Sequence, residues 1–310
     1  MSNTTVSLRH KIASAQELQS VVRTMKVLAA SSIRQYEQAV EALADYVRNI
    51  ELGLSVCFRN DKAFYQGKST PSTRSDIRIG AVIFGSDQGL VGPFNEIIVD
   101  FALKTLGGHA DQAEIWAVGE RVQTRLQDSK QALMGCFAVP NSVKAITPLI
   151  TQILIESESR QSQGEVSEFH LFYNRPLSGS IYEPVSQALL PLDQNWMHHL
   201  SQIHWPSKNL PTVLGHNRPT LQVLIREYLF VSLFRACAES LASENASRLA
   251  AMQRADKNIE ELLEDLNGHF YRLRQRGIDE ELFDLTSGFE ALKQNEKTHS
   301  SFQKAGPHGT

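Results

Sequence analysis

Apolar residues near the start of the chain recur at the spacing of a long amphipathic helix. Between residues 7 and 54 they fall every three or four positions, at a mean step of ~3.5, which is the period of a coiled coil. The stretch holds no proline, and its single glycine, Gly53, lies near its end. We therefore predict one unbroken helix over residues 1–58. A single apolar stripe of this length cannot bury itself, so the helix needs a partner.

The C-terminal part carries the matching pattern. An apolar stripe runs from Leu221 to Leu273 with no proline inside it, and Pro219 suits the first turn of a helix. We predict a second long helix over residues 211–294, wound antiparallel on the first, and a disordered polar tail over residues 295–310. The stripe fades over residues 239–248, ESLASENASR. A helix that is polar on most faces bridges two bodies or lies against a polar partner.

Between the two helices the pattern changes to short β-branched runs that alternate with helical spacing. This alternation predicts an α/β domain over residues 77–210, with a polar linker over residues 59–76 before it. A PLSGS turn between the last two runs predicts a hairpin. The fold class is α/β: a Rossmann-like layer domain inserted between two long terminal helices that form an antiparallel coiled coil. The predicted strands lie at residues 77–85, 114–119, 132–139, 168–175 and 181–192.

Composition and charge exclude several classes of protein. The 310 residues include 31 Lys and Arg against 34 Asp and Glu, a net charge of -3, which argues against a dedicated nucleic-acid binder. No apolar run approaches the ~18 residues of a membrane span, and the N-terminus resembles no signal peptide. Cys57, Cys136 and Cys237 lie far apart with no CxxC pair, so we predict free thiols in a reducing compartment rather than metal ligands.

Candidate sites for chemistry are weak. Residues 86–92, SDQGLVG, join a strand to a helix, where α/β folds cradle phosphates, but they match neither GxGxxG nor GxxxxGK[ST]. The simplest interpretation is a tight turn. His198, His199 and His204 lack a zinc spacing. We predict no catalytic residue, no cofactor and no metal. Carboxylates on the long helices are interpreted as solvent-exposed: Asp45, Glu51, Glu239 and Glu244.

Near the end of the second helix a basic turn precedes an acidic one. Such a face is either a set of surface ion pairs or a charged contact for a partner protein, and the residues alone leave both open. The residues are Arg272, Arg274 and Arg276, followed by Asp279, Glu280, Glu281 and Asp284.

Four stretches resemble one known family, the gamma subunits of F-type ATP synthases. The resemblance covers nearly the whole chain, in the family's order of helix, domain and helix. Residues 11–35 resemble the N-terminal signature, including its M-x-x-x-A-A-S run at Met25, Ala29, Ala30 and Ser31. The other stretches are ESLASENASRLAAM (239–252), LRQRGIDEELFDLTSG (273–288) and SDQGLVGPFN (86–95).

The departures from the family pattern indicate a divergent member. Ser20 and Ser32 stand where the family usually carries lysine, and Val91 and Pro93 replace its usual cysteine and second glycine. The sequence is similar to the alternate ATPase type found beside a standard synthase in some bacteria.

The resemblance implies a non-catalytic rotor shaft that couples ion flow through a membrane ring to the catalytic ring. Its implied partners are the alpha, beta and epsilon subunits and the membrane c-ring, with no nucleic acid and no bilayer insertion. Its implied location is the cytoplasmic face of a bacterial inner membrane, as a peripheral subunit. It assigns the beta-subunit contact to Arg274, Gln275 and Glu281, and the shaft contact to Met25, Ala29, Ala30 and Ser31.

Two other functions remain open on the residues alone. One is an α/β enzyme that binds a nucleotide at residues 86–92. The other is a coiled-coil scaffold with no rotary role.

Overall fold

The computed structural model describes residues 2–60, 78–163, 166–177, 182–209, 211–213 and 216–303. Most of the predicted linker, residues 61–76, lies outside them. The chain divides into two compact units, one of Met25–Met252 and one of Met1–Thr24 with Gln253–Thr310. We call them the large unit and the helical unit.

The helical unit contains the beginning of helix α1 (Ser2–Ala42) and the C-terminal part of helix α7 (Asn217–Gln303). Arg23 Nε lies 3.3 Å from Asp256 Oδ1, and the Arg9 guanidinium lies 5.7 Å from the centre of the Phe270 ring. Because the residue nearer the start of α1 meets the residue nearer the end of α7, the two helices pack antiparallel in this unit.

Helix α7 extends further than the sequence pattern predicted. It begins at Asn217, which confirms Pro219 in its first turn, and it ends at Gln303. The prediction of a disordered tail is therefore wrong for residues 295–303, while residues 304–310 lie outside the described ranges. The physical reason is that no glycine or proline occurs between residues 289 and 305 to end the helix.

The first predicted helix is interrupted once. Helix α1 ends at Ala42, and α2 (Ala44–Asn60) follows it. At the break, the Leu43 N–H donates to the Val40 carbonyl at 3.2 Å, three residues back, which tightens the turn. Apolar spacing alone does not reveal a break of one residue.

The large unit is built on a five-stranded sheet in the order β3-β2-β1-β4-β5. The first four strands are parallel, and β5 pairs antiparallel with β4, as predicted for a hairpin. Its turn residues 178–181 lie outside the described residues. The strands are β1 (Ile79–Phe84), β2 (Glu114–Val118), β3 (Leu133–Phe137), β4 (Glu168–Pro176) and β5 (Tyr182–Leu190).

Helices cover both faces of the sheet because both faces are apolar. One face packs on α3 (Phe94–Leu106) and α4 (Glu120–Asp128), through a cluster that includes Ile83 and Phe172. The other face packs on α5 (Val143–Ser162) and on α7, and its cluster includes Phe84 and Leu233. Helix α7 is therefore itself a layer of the α/β domain.

A short helix that the sequence analysis did not predict follows the last strand. Helix α6 (Gln194–Ser201) begins after Asp193, whose carboxylate accepts from the backbone N–H groups of Asn195 and Trp196. Asp193 is therefore the N-cap of this helix. Met197 and Leu200 of α6 pack with Leu54 and Phe58 of α2 in a third apolar cluster.

Candidate functional site

The loop after β1 is held by its own polar side chains. The Ser86 N–H donates to Asn95 Oδ1 at 3.0 Å, and Asn95 Nδ2 donates to Ser86 Oγ at 2.9 Å, with both residues buried. The backbone of Gly119 crosses close by, and a Cβ on Gly119 would lie 2.7 Å from the Ser86 carbonyl oxygen. These internal bonds support the interpretation of residues 86–92 as a tight turn rather than a phosphate cradle.

Asp87 joins three segments of the large unit. Its Oδ1 accepts from the Glu120 N–H at 3.1 Å, and its Oδ2 accepts from the Val139 N–H at 2.9 Å. One carboxylate thereby fixes the β1 loop to the start of α4 and to the segment after β3. A negative charge beside the first N–H group of a helix is also favourable to the helix dipole.

The polar stretch of α7, residues 239–248, is buried against the sheet. Ser243 Oγ donates to the Asn174 carbonyl of β4 at 2.9 Å, and Ser247 Oγ donates to the Val91 carbonyl of the β1 loop. Ser243 is 0% exposed. The sequence predicted a polar partner as one explanation for this stretch, and that partner is the carboxyl-terminal edge of the sheet.

Two charged residues of this stretch were wrongly predicted to be solvent-exposed. Glu239 and Glu244 are buried, each with an arginine one helical turn away. Arg235 Nε lies 2.6 Å from Glu239 Oε1, and an Arg248 amino nitrogen lies 2.6 Å from Glu244 Oε1. Buried charges are rare unless they are paired, so a polar stretch is normally expected to be exposed. The pairing with arginine explains why this stretch is buried instead. Asp45 is exposed as predicted, whereas Glu51 is half-buried.

Burial governs the titration of the groups around this stretch. Desolvation raises the pKa of Glu244, and the charge of Arg248 opposes the shift. Burial raises the pKa of Tyr36 on α1, with Glu244 adding to the effect. Burial and the nearby Glu239 raise the pKa of Tyr173 to about 12. At neutral pH both tyrosines are therefore protonated hydrogen-bond donors.

A polar cavity of about 210 Å³ lies beside the polar stretch. Tyr36, Asp87, Asn141, Glu244 and Arg248 are among its lining residues. It opens at the carboxyl edge of parallel strands, where α/β folds commonly bind ligands. The second oxygen of Glu244, however, is shielded from solvent and has no hydrogen-bond partner within the described ranges, so it is not presented to the cavity.

The predicted partner-contact residues lie on the two long helices. Of the shaft-contact set, Met25 is half-buried and Ala29 is 2% exposed, whereas Ala30 and Ser31 are exposed. The beta-contact set is exposed on α7 in the helical unit, where Gln275 Nε2 donates to Asp279 Oδ1 at 3.1 Å. That set is Arg274, Gln275 and Glu281.

The histidines and cysteines of the described part of the chain form no recognisable metal site. His198 and His199 lie on α6, and His204 follows it. Within the residues that the structure describes, no group of three or more His, Cys, Asp or Glu side chains could hold a metal ion. Cys57 and Cys237 are buried free thiols and Cys136 is an exposed one. In the same described residues, no helix has both the length and the apolar character that a bilayer crossing requires.

Comparison with known proteins settles the family. The family model described as ATP synthase matches residues 4–292. The chain belongs to the gamma family of ATP synthases. It is thus a non-catalytic subunit, the central rotor shaft of a membrane-associated rotary complex.

Relatives of the chain match most of its length at low identity. The ATP synthase gamma chain of Anaeromyxobacter dehalogenans is 28% identical over 295 residues, which cover 92% of this chain and 98% of that protein. The gamma chain of Nitrosomonas europaea is 25% identical over 297 residues, with the same two shares covered.

Solved structures share its fold. A chain of the Euglena gracilis mitochondrial ATP synthase, solved as OSCP/F1/c-ring, aligns with a TM-score of 0.61 at 16% identity, covering 100% of this chain and 99% of that one. A chain of the Tetrahymena thermophila mitochondrial central stalk and c-ring aligns with a TM-score of 0.55 at 20% identity, covering 76% and 99%. The α/β domain flanked by long terminal helices is confirmed.

Proposed function

We propose that the exposed face of α7 around Arg274, Gln275 and Glu281 contacts loops of the catalytic beta subunits. All three side chains are exposed in the helical unit, and they lie where a basic turn gives way to an acidic one. Charged groups on both sides of such a contact favour specific pairing and suppress wrong registers. Their match to the family's closing segment supports the assignment.

We propose a second contact at the segment of α1 that contains Met25, Ala29, Ala30 and Ser31. Ala30 and Ser31 are small and exposed, so a neighbouring surface can pass close to the helix backbone there. Ala29 is buried and acts by packing within the chain. Small residues on a turning shaft let it move past several partners without catching on one.

The partners we propose are the alpha and beta subunits, the epsilon subunit and the membrane c-ring. The relatives named above are bacterial gamma chains, which supports the cytoplasmic face of a bacterial inner membrane as the location. The chain would be held there through the complex, as a peripheral subunit.

An asymmetric shaft in a threefold ring contacts each beta subunit differently. Each contact biases one catalytic site towards a different conformation, which links the rotation angle to the affinity of each site for nucleotide. The observation that carries this proposal is the family match over residues 4–292, which spans both long helices and the sheet domain between them.

Replacement of Arg274 and Glu281 by alanine tests the beta contact. Desolvated charge-assisted hydrogen bonds are worth ~1.5–3 kcal/mol, so the double variant should slow ATP turnover or loosen its coupling to ion movement. The fold should survive, because exposed charges contribute only about 0–1 kcal/mol to stability. The measurement is ATPase rate and ion uptake in reconstituted vesicles, with assembly checked by subunit stoichiometry.

A matched control is the double variant of Lys257 and Glu261 to alanine, an exposed pair 3.8 Å apart on the same helix. It should leave turnover and coupling unchanged. Normal turnover and coupling in a fully assembled Arg274→Ala/Glu281→Ala complex would refute the beta contact.

A further inference from the structure

The polar stretch of α7 reaches two separate parts of the sheet domain from one face of the helix. Ser243 and Ser247 are four residues apart, so their hydroxyls point the same way. One bonds β4 through the Asn174 carbonyl, and the other bonds the β1 loop through the Val91 carbonyl. Asn174 continues the connection, since its Nδ2 donates to the Phe94 carbonyl at the start of α3 at 3.2 Å.

These bonds lie in a mainly apolar interface, in which Tyr173 of β4 also contacts the buried Glu239 of α7. Leu233, Cys237 and Leu241 of α7 pack with Trp116 and Leu171 of the sheet in one cluster. Apolar contact is non-directional, so it favours a large buried area without fixing the register of the helix on the sheet. The two buried hydroxyls that bond the sheet domain are directional, and leaving their backbone partners unpaired is costly in a medium of low dielectric constant. The polar stretch therefore selects one register of the helix on the sheet.

We propose that Ser243 and Ser247 are positioning residues that lock the sheet domain to the long helix and make this joint bear torque. The inference rests on the role of the chain as a rotor shaft. A shaft transmits rotation only if the domain at one end follows the helix without slipping. With the two hydroxyl bonds present, the sheet domain and α7 turn as one body. Without them, the apolar interface admits neighbouring registers and the domain lags behind the helix.

Helix α7 supplies a matched control for this proposal. Ser240 is a buried serine in the same stretch, 2% exposed, but its hydroxyl has no hydrogen-bond partner among the residues that the structure describes. Ser240→Ala removes the same atom at the same depth without touching the joint. An effect of hydroxyl loss on helix stability alone would therefore be seen in Ser240→Ala as well.

The first experiment compares Ser243→Ala/Ser247→Ala with Ser240→Ala in the assembled complex. Reconstituted vesicles report ATP hydrolysis together with uptake of protons, by a pH-sensitive dye, and of sodium, by radioactive tracer. We expect the double variant to retain ATP hydrolysis but to lose at least about half of the ions moved per ATP, because two directional bonds are removed. Ser240→Ala should match the wild type. Unchanged ion uptake per ATP in the assembled double variant, or an equal loss in Ser240→Ala, overturns the proposal.

The second experiment restores the joint with a covalent bond. Gly92 has φ +60°, so a cysteine there is strained, but the oxidised and reduced forms share that strain. A Cβ on Gly92 would lie 3.9 Å from Ser247 Oγ, close enough for a disulfide after a small shift. The variant Ser243→Ala/Gly92→Cys/Ser247→Cys, with the exposed Cys136 changed to serine, is then assayed oxidised and reduced. The oxidised form should couple as the wild type does, and the reduced form should lose the same share as the double variant. Equal coupling in the two redox states overturns the proposal, even if the double variant fails to assemble.

The two proposals fail in distinguishable ways. If the wild-type complex hydrolyses ATP without moving either ion, the rotor role itself is refuted. If the wild type moves ions and the oxidised and reduced variants do so equally well, the rotor role stands and the joint is refuted.

Discussion

At the scale of single residues, the structure depends on polar groups that look ordinary in the sequence. Asp87 and Ser243 lie in stretches that the sequence analysis noted but were given no role of their own, yet each bonds a backbone group of a distant segment. A signal existed for the serine, since serines four residues apart on a helix that fades from apolar to polar indicate a buried polar contact. No local signal identified Asp87, because its partners lie 33 and 52 positions away.

Asp87→Ala should destabilise the large unit by about 2 kcal/mol, because two backbone N–H groups lose a charged acceptor. Asp87→Asn should cost less, since its amide oxygen can still accept one of the bonds. The measurement is the free energy of unfolding from urea titration. The control is Gln88→Ala, an exposed neighbour in the same loop, which should change stability little. Equal stability of Asp87→Ala and Gln88→Ala would contradict this role of the carboxylate.

Glu244 should make stability depend on pH. Its folded pKa is raised by burial above the ordinary value of 4.5, so the folded chain binds the proton more tightly than the unfolded chain. Its contribution to stability is complete below pH 4.5 and is lost as the pH rises through the folded pKa. The groups facing it are Arg248 and Cys237 of α7, Tyr36 of α1 and Asp87 of the β1 loop.

The test of this pH dependence is the urea midpoint of Glu244→Gln against that of the wild type. Because glutamine does not titrate, the urea midpoint of the variant should rise relative to that of the wild type as the pH rises from 4.5 towards neutrality. The control is Glu261→Gln, an exposed carboxylate of α7. Midpoints of wild type and Glu244→Gln that stay a constant distance apart over this range would contradict the raised pKa.

At the scale of elements, the sequence predicted what periodicity controls and missed what single residues decide. The strands and both long helices follow from apolar spacing and the hairpin from its turn. The structure has them within a few residues, apart from the end of α7 at Gln303, which lies beyond the predicted residue 294. The break at Leu43 has one local hydrogen bond and the short helix after Asp193 has two at its cap, and apolar spacing does not show such bonds. The packing of α7 on the sheet depends on tertiary contacts, which apolar spacing along the chain does not show. The burial of Glu239 and Glu244 was therefore not predicted.

Two glycines differ in whether their position tolerates a side chain. Gly268 lies inside α7 with open space where a Cβ would stand, so Gly268→Ala should stabilise the chain by about 0.5–1 kcal/mol. Gly119 has φ +114°, and its Cβ would lie 2.7 Å from the Ser86 carbonyl oxygen. Gly119→Ala should destabilise by about 2 kcal/mol or more. Thermal unfolding of both variants is the measurement, and the same sign for the two would contradict the described packing.

At the scale of the whole molecule, function follows from the order of parts rather than from a catalytic centre. The described residues form a sheet domain, in which α7 is one of the layers, and a helical unit. In the helical unit, α7 carries exposed charged residues. The family match over residues 4–292 identifies this order of parts as that of a rotor shaft. The residues that contact partners could not be derived from the sequence by physics, since exposed charges on a helix are compatible with several roles.

Direct observation of rotation tests the central claim. Cys136 is an exposed thiol on β3, while Cys57 and Cys237 are buried, so a maleimide label attaches a bead to the sheet domain at one position. With the alpha and beta ring fixed to a surface and ATP supplied, we expect the bead to turn steadily in one direction and to stop when ATP is removed. A bead that only fluctuates about one angle, on a ring shown to be hydrolysing ATP, would contradict the assignment of this chain as the rotor shaft.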